Sequence, residues 1–295
     1  RGPIGKRTAA YQAAPQSCAR DFQRSGCWLR LGSEVHAPPE AQPPMTEQER
    51  QRAILLKLTG LEGGAQRRPP GIIPTGLAPL DRALGTGGLP LGAISEIFGS
   101  SGSGKTTLAL QMVRRAQSSG GAAAWIDVDR TFDPAYAASL GVAPDRLVVV
   151  MPESAEEAFE MAARLAASQA VSLLIVDPAA ALAPAVELDA AIGTSGPGLH
   201  GRVLASGLQK LAVSTARTGV ALVFLNQTRS RMEAGAEADT SAGGASLKLY
   251  AAVRIALEPA GAGLVRFRVL KNTAGEGHGR GELRWIPGAG FAETA

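Results

Sequence analysis

The sequence has 295 residues, of which 45% are hydrophobic and only 4% aromatic, and its formal net charge is +4. Residues 1–44 hold six Lys or Arg and three acidic side chains, so the rest of the chain carries only about +1. This balance excludes nucleic-acid binding through global positive charge and leaves only local basic patches for it. The length suits one large domain or two small ones.

Cysteine usage and hydropathy indicate the compartment. The two cysteines, Cys18 and Cys27, lie near the start of the sequence and lack the Cys/His neighbours typical of a zinc site. The remaining chain has no cysteine, which is typical of a reducing cytoplasm. No apolar run is long enough to span a bilayer, and no signal-peptide pattern is present. We therefore expect a cytoplasmic protein with no membrane partner.

Three regions of the chain differ in composition. Residues 1–44 mix Gly, Pro, Gln, Arg and Ser without periodicity, which predicts a disordered tail. Residues 45–70 begin with Thr46 and Glu49 in capping-box spacing, which predicts a short N-terminal helix followed by a Gly/Arg/Pro linker. Residues 71–292 alternate apolar runs with helical periods and are predicted to form the folded core.

Within this core, short apolar runs alternate with helical segments. In chain order the pattern predicts a strand at 93–98, a helix at 105–119, a strand at 122–128, a helix at 155–169, a strand at 171–176, a helix at 199–217, and strands at 220–225, 251–257 and 264–270. Buried apolar strands alternating with helices favour an α/β fold with a mostly parallel central sheet and helices on both faces. The late strands lack an intervening helix, so we expect antiparallel strands at the C-terminal end of the sheet.

A glycine-rich loop lies between the first strand and the first helix of this pattern. Its eight residues match the phosphate loop of nucleotide-binding proteins and are Gly99, Ser100, Ser101, Gly102, Ser103, Gly104, Lys105 and Thr106. The backbone N–H groups of such a loop, together with the following helix N-terminus, bind phosphate. Lys105 adds a charge for the β- and γ-phosphates, and the Thr106 hydroxyl is a ligand for Mg²⁺. A Gly/Ser-rich linker could match by chance, but the flanking strand and helix favour ATP binding.

Acidic residues follow two further apolar strands. Asp177 comes after the run 171–176, the arrangement of a Walker B carboxylate that contacts the metal; the alternative is a turn-forming aspartate before a proline. Asp127 and Asp129 leave the strand 122–128. One of these two could activate the attacking water, or both could be surface charges in a loop.

An amide side chain follows a fourth strand. Gln227 comes directly after the apolar run 220–225 and could hydrogen-bond a γ-phosphate or its attacking water. The next segment, about 230–244, is Gly-rich and polar without periodicity. A loop of this kind after a phosphate sensor is a candidate ligand-responsive element.

These motifs together carry a family resemblance. The runs that carry it are 73–99, 133–141, 226–227 and 243–254, and over roughly 70–292 the sequence resembles bacterial RecA recombinases. The match is far more specific than a phosphate loop alone. It implies a RecA-like P-loop NTPase core that uses ATP and Mg²⁺, binds single-stranded DNA as a filament, pairs homologous strands, and acts in recombination, DNA repair and the SOS response.

The resemblance also implies roles for individual residues around the nucleotide. Asp129 falls where the family has its catalytic glutamate, and Tyr136 would stack on adenine with Asp133 near its amino group. Gln227 would sense the γ-phosphate. The catalytic positions implied are Asp129, Lys105 and Gln227. The nucleotide positions beyond the loop are Thr107, Asp133, Tyr136 and Asp177, and the metal positions are Thr106 and Asp177.

Further residues are implied to act on DNA or on a neighbouring subunit. Residues 185–198 and 230–243 fall on the two DNA-binding loops of the family. Lys271 matches one of two lysines that reach a neighbouring subunit's nucleotide, and Lys248 is a second intersubunit candidate. The DNA-binding candidates are Arg202, Lys210, Arg229, Arg231, Gly243 and Gly244. The partners implied are single-stranded DNA, further copies of the chain, and an SOS repressor or a translesion polymerase.

Several positions depart from the family pattern. Asp129 is one methylene shorter than glutamate, and Thr273 replaces the second intersubunit lysine. Pro178 replaces a small hydroxyl residue, and Pro197 stands where the first loop usually has methionine. These changes concern hydrolysis, subunit coupling and DNA contact, so two alternatives stay open. One is a RecA-fold accessory protein for SOS-induced translesion mutagenesis with little strand exchange, and the other is a RecA-fold ATPase with no DNA role.

Overall fold

The computed structural model of the protein describes residues 71–191, 198–228, 241 and 245–293. The predictions for the tail 1–44 and for the helix and linker 45–70 lie outside these residues. The predictions that rest on seven further residues also lie outside the described part of the chain: Cys18, Cys27, Pro197, Arg229, Arg231, Gly243 and Gly244. None of the described helices is both long and apolar enough to cross a membrane.

Strands and helices alternate along most of the described chain. In chain order they are β1 (Ile72–Ile73), α1 (Ala78–Leu84), β2 (Leu89–Pro90), β3 (Ile94–Gly99), α2 (Lys105–Ser118), β4 (Ala123–Asp127), α3 (Pro134–Ser139), β5 (Leu147–Val150), α4 (Ala155–Ser168), β6 (Leu173–Asp177), α5 (Ala185–Asp189), α6 (Leu199–Thr218), β7 (Ala221–Gln227), α7 (Ala245–Tyr250), β8 (Ala251–Gly261), β9 (Leu264–Asn272), β10 (Arg280–Ile286) and β11 (Gly290–Glu293). The strands and helices predicted from residue 93 onward are all present.

Nine strands form one sheet in the order β11-β10-β9-β8-β3-β7-β6-β4-β5. The pairings from β8 through β3, β7, β6 and β4 to β5 are parallel. The pairings β8-β9, β9-β10 and β10-β11 are antiparallel. The predicted α/β fold is therefore confirmed: a large, mostly parallel sheet with antiparallel strands at its C-terminal end.

Alternate side chains of each parallel strand enter two separate hydrophobic cores. On β4, Ala123 and Trp125 belong to one core and Ala124 and Ile126 to the other. The first core also takes in α2, and the second takes in α4 and α6. Because side chains alternate between the faces of a strand, a sheet covered on both sides needs apolar residues at every position. This is why the parallel strands read as unbroken apolar runs.

Some short elements had no clear sequence signal. Strand β5 (Leu147–Val150) is only four residues long and half-exposed at the edge of the sheet. Strand β10 is rich in Arg and Glu and mostly exposed, so its sequence does not show the apolar residues that predict a strand. Helix α3 has only six residues and is fixed by its capping residue Asp133 and by Pro134 in its first turn.

A charged network lies buried between β3, β7 and β8. Arg254 Nε donates to Glu96 Oε2 at 2.5 Å, and Asn226 Nδ2 donates to Glu96 Oε1 at 2.9 Å. Glu96 is completely buried and Arg254 is 7% exposed. Arg254 Nη2 also donates to Ser241 Oγ at 3.2 Å, and its guanidinium lies over the Phe98 ring, 4.7 Å from the centroid. Both oxygens of the buried carboxylate are therefore satisfied.

We predict that removing one member of this ion pair costs more stability than removing both. Arg254→Met leaves the Glu96 charge buried without its partner, so the free energy of unfolding should fall by about 3–5 kcal/mol. The double variant Glu96→Gln/Arg254→Met should recover a large part of that loss. Urea unfolding measures all three proteins.

The control for this experiment is Arg266→Met. Arg266 pairs with Glu282 on the surface, where the two side chains are 61% and 42% exposed. Exposed pairs contribute little, so this change should cost under about 1 kcal/mol. A double variant no more stable than Arg254→Met would contradict the explanation from charge burial.

Candidate nucleotide-binding site

The glycine-rich loop leaves the end of β3 and opens α2. Gly99 lies so close to β8 that a Cβ atom would sit 2.3 Å from the Leu257 carbonyl oxygen, so only glycine fits. Helix α2 begins at Lys105, whose Nζ donates to Gly99 O at 3.1 Å and Ser100 O at 2.8 Å. Burial lowers the pKa of Lys105, and the nearby charge of Asp177 opposes this. The ammonium therefore lies at the mouth of the loop, within reach of a bound phosphate chain.

Thr106 and Asp177 meet beside the loop although 71 residues separate them. Thr106 Oγ1 donates to Asp177 Oδ2 at 3.3 Å. Burial raises the pKa of Asp177 from 3.8 to about 6, and the charge of Asp129 adds to the effect. The hydrogen bond from Thr106 and the charge of Lys105 oppose it. A hydroxyl and a carboxylate side by side are ligands that suit Mg²⁺.

Thr106 and Asp177 offer two of the oxygen ligands that an octahedral Mg²⁺ shell takes. Among the residues that the structure describes, no three His, Cys, Asp or Glu side chains gather into a metal-binding group. Mg²⁺ bound by protein carboxylates commonly completes its octahedral shell with water and substrate phosphates. Thr106 and Asp177 fit that pattern, since they lie at the end of the phosphate loop.

The Asp177–Pro178 peptide bond, directly after this carboxylate, is cis.

The two aspartates after β4 have different surroundings. Asp127 is 1% exposed, and its two carboxylate oxygens accept from the N–H groups of Thr131 and Phe132, each at 3.0 Å. Asp129 is exposed and accepts from the Thr131 hydroxyl at 2.7 Å. Asp127 thus holds the turn after β4, whereas Asp129 has an exposed carboxylate whose charge acts on Asp177. The catalytic role of Asp129 stays a prediction.

Tyr136 stands on α3 beside the phosphate-loop helix. Its hydroxyl lies 2.7 Å from Thr107 Oγ1, so the ring is fixed against α2. Asp133 is the capping residue of α3 and accepts from the N–H groups of Ala135 and Tyr136 at 2.8 and 3.0 Å. Asp133 therefore orients the helix that carries Tyr136. The contacts of Tyr136 and Asp133 with a nucleotide base stay predictions.

Gln227 ends β7 directly opposite the start of the loop. It pairs in register with Gly99, and Thr228 N donates to Gly99 O at 3.2 Å. The preceding residue, Asn226, is fully buried on Glu96. The structure therefore brings the predicted sensor Gln227 to the loop, with its side chain exposed.

A cavity of about 540 Å³ lies over the loop. It is lined by the loop, the start of α2, Tyr136 and apolar residues of the antiparallel strands. Those apolar residues are Pro259, Leu264, Val265, Trp285 and Phe291. The part of this wall on β10 and β11 has no counterpart among the strands predicted from the sequence. Trp285 and Phe291, two of very few aromatic residues, were the available signal.

The intersubunit candidates lie away from this cavity. Lys271 Nζ donates to the carbonyl oxygens of Lys248 and Leu249 at 2.9 and 3.0 Å, at the C-terminal end of α7. Burial lowers the pKa of Lys271, and the charge of Arg254 adds to this. Thr273 Oγ1 donates to Ala252 O at 3.3 Å. The contacts of Lys248 and Lys271 with another subunit stay predictions.

Two of the DNA-binding candidates are described, and both lie on α6. Arg202 and Lys210 are exposed, and eight residues of helix separate their Cα atoms by about 12 Å. Their role stays a prediction. The other four candidates, Arg229, Arg231, Gly243 and Gly244, lie outside the described residues.

Comparison with known proteins identifies the relatives of this chain. Residues 56–267 match the family model of the RecA N-terminal domain. "Protein RecA" of Deinococcus radiodurans is 35% identical over 281 residues, covering 88% of this chain and 77% of that protein. "Protein RecA" of Bifidobacterium breve is 43% identical over 202 residues (68% and 50%), and that of Mycobacterium avium is 40% identical over 219 residues (70% and 63%). The chain thus spans only half to two thirds of the length of the latter two.

Because burial raises the pKa of Asp177, we predict that replacing its carboxylate with a neutral side chain increases the free energy of unfolding. The size of this increase should depend on pH. In the metal-free protein, the folded state holds a proton on Asp177 between pH 3.8 and about 6 that the unfolded chain releases, so stability falls as pH rises through this range. Asp177→Asn removes this loss. In EDTA, the variant should exceed wild type in free energy of unfolding by on the order of 2 kcal/mol at pH 7.5.

The gain should shrink towards zero as the pH approaches 4, and urea unfolding at both pH values tests this. Asp145→Asn, at an exposed aspartate away from the loop, is the control and should change stability little at either pH. A variant that is less stable than wild type at pH 7.5 would show that the Asp177 carboxylate is not destabilised by burial.

Proposed function

The chain belongs to the bacterial RecA family, and from this we propose that it is an ATP-dependent DNA-binding protein of homologous recombination, DNA repair and the SOS response. It binds ATP with Mg²⁺, forms a filament with further copies of itself on single-stranded DNA in the cytoplasm, and hydrolyses ATP. Its DNA-bound filament is the form that would engage an SOS repressor or a translesion polymerase.

The observation that carries this proposal is the cavity over the phosphate loop. Its lining combines loop residues, Lys105 and Thr106 with Tyr136 and an apolar wall. The polar part of the lining suits a triphosphate and the apolar part suits a nucleoside. This is the arrangement that a nucleoside triphosphate requires.

Each polar residue at the loop has a part in hydrolysis. Lys105 exchanges its bonds to the loop carbonyls for the phosphate oxygens and stabilises the negative charge that moves to them. Asp129 accepts a proton from the attacking water, and Gln227 holds that water or the γ-phosphate. Thr106 and Asp177 would hold Mg²⁺, which would offset the charge of the β- and γ-phosphates.

The buried network around Glu96 links the predicted γ-phosphate sensor to the second of the two predicted DNA-binding loops. Gln227 follows Asn226, which binds Glu96, and Glu96 binds Arg254. Arg254 in turn holds Ser241, near the end of the loop segment 230–244. We infer that a shift of Gln227 towards phosphate is transmitted along this network to DNA-contacting residues.

The proposed activity predicts ATP turnover that rises with single-stranded DNA. Lys105→Ala should lower the DNA-stimulated rate by roughly 100-fold, because it removes the cation on the transferring phosphate. Arg164→Ala, at an exposed arginine on α4, is the control and should leave the rate unchanged. A coupled ATPase assay with and without DNA, at several salt concentrations, measures both variants.

A DNA-independent rate at every salt concentration would contradict the DNA-dependent part of the function. ATP binding with very slow turnover, together with capture of a translesion polymerase, would instead support the accessory role. Loss of activity in the Arg164→Ala control would reject the assay itself.

Asp129 can be tested as the base by lengthening its side chain. Asp129→Glu brings the carboxylate one methylene closer to the attacking water, so hydrolysis should accelerate by roughly tenfold. Asp127→Glu is the matched control: its carboxylate already binds two N–H groups, so the change should lower stability and not raise the rate. An unchanged or lower rate in Asp129→Glu would remove Asp129 from the catalytic role.

A further inference from the structure

Two glutamines on α2 bind the backbone of other segments in the same way. Gln111 Nε2 donates to Phe291 O at 2.9 Å, and Phe291 N donates to Gln111 Oε1 at 2.8 Å. Gln117 makes the same pair of bonds with Ala143, both at 2.8 Å. Both glutamine side chains are buried, with 5% and 4% exposure. The side-chain amide of each glutamine therefore makes the two backbone hydrogen bonds that a neighbouring strand would otherwise make with Phe291 or Ala143.

The two amide pairs differ in what they hold. Phe291 lies on β11 and lines the cavity over the phosphate loop, whereas Ala143 lies outside that lining. The Phe291 ring also rests on the loop itself: a Cβ atom on Gly104, whose φ is +84°, would sit 2.3 Å from the ring's Cζ. Gln111 thus attaches β11 to the same helix that the phosphate loop opens.

Strand β11 has a hydrogen-bonded neighbour on one side only within the sheet. It pairs with β10, where Phe291 stands opposite Trp285. Residues that stand opposite in an antiparallel pair share one face, and both rings line the cavity. The N–H and carbonyl of Phe291 point the other way, to Gln111. Without Gln111 this edge of β11 would lose both bonds that hold it against α2.

We propose that Gln111 is a positioning residue for nucleotide binding, because its amide holds Phe291 and β11 as the nucleoside-facing wall of the site. This rests on the nucleotide binding proposed above. The phosphate loop binds the triphosphate, and the Phe291 wall packs against the base or ribose. Gln111 fixes the distance between these two halves, so its loss should lower affinity for the nucleoside more than affinity for the phosphates.

This division predicts different effects on two ligands. Gln111→Met keeps the size of the side chain but loses both bonds, so ATP affinity should fall by about tenfold. Affinity for inorganic tripolyphosphate, which uses only the phosphate loop, should stay within about twofold of wild type. Phe291→Ala removes the ring but keeps the backbone bonds, and it should also lower ATP affinity more than tripolyphosphate affinity. Isothermal titration calorimetry measures both ligands on the full chain.

Gln117→Met is the matched control, because it removes the same two bonds from the same helix about 9 Å further from the loop. It should change stability as Gln111→Met does and leave both affinities within about twofold of wild type. Urea unfolding confirms that each variant is folded under the binding conditions. Phe291→Ala keeps the test open if Gln111→Met does not fold.

Two results would overturn the inference. The first is ATP affinity in Gln111→Met and Phe291→Ala that matches Gln117→Met. The second is an equal loss for ATP and tripolyphosphate, which indicates a disturbed phosphate loop. Failure of the proposed function looks different: wild type would bind neither ligand, and Lys105→Ala would change nothing.

Discussion

Glu96 stands three residues before the phosphate loop with its carboxylate fully buried, so its charge has to be balanced inside the protein. Arg254 and Asn226 provide that balance from the two strands on either side of β3. Because both partners must face Glu96, the register of β7 and β8 against β3 is fixed. That register sets Gln227 opposite Gly99 and brings Leu257 close enough to Gly99 to require glycine. The geometry at the loop thus depends on a charge pair that lies outside the lining of the cavity.

The cavity joins the two halves of the sheet. The parallel half supplies the phosphate loop, and the antiparallel half supplies the apolar wall. Tyr136 and Phe291 line the cavity, and each is hydrogen-bonded to α2, through Thr107 and Gln111. Helix α2 therefore supports both the phosphate loop and the Phe291 wall. A single rigid element can hold both ends of a long ligand site in register.

The sequence predicts features that are encoded by neighbouring residues better than contacts between residues far apart in the chain. The loop 99–106 and Asp177 were predicted, because a strand followed by a polar residue is a local pattern. Asp127 and Asp129 both come at the end of the same apolar strand, so the sequence alone does not tell their roles apart. In the structure they differ because Asp127 accepts from the N–H groups of the turn after β4. The pairing of Gln111 with Phe291 joins residues 180 apart through an ordinary helical glutamine and a backbone. No period or spacing records such a contact, so the wall it supports could not be predicted.

This long separation has a consequence for synthesis on the ribosome. Helix α2 and the phosphate loop are synthesised early, but Phe291 follows only 180 residues after Gln111. Domains form progressively while the chain is being made. During that interval the nascent protein has a phosphate loop without its nucleoside-facing wall. The apolar wall of the cavity over the loop is therefore complete only once the last described strand of the sheet has been synthesised.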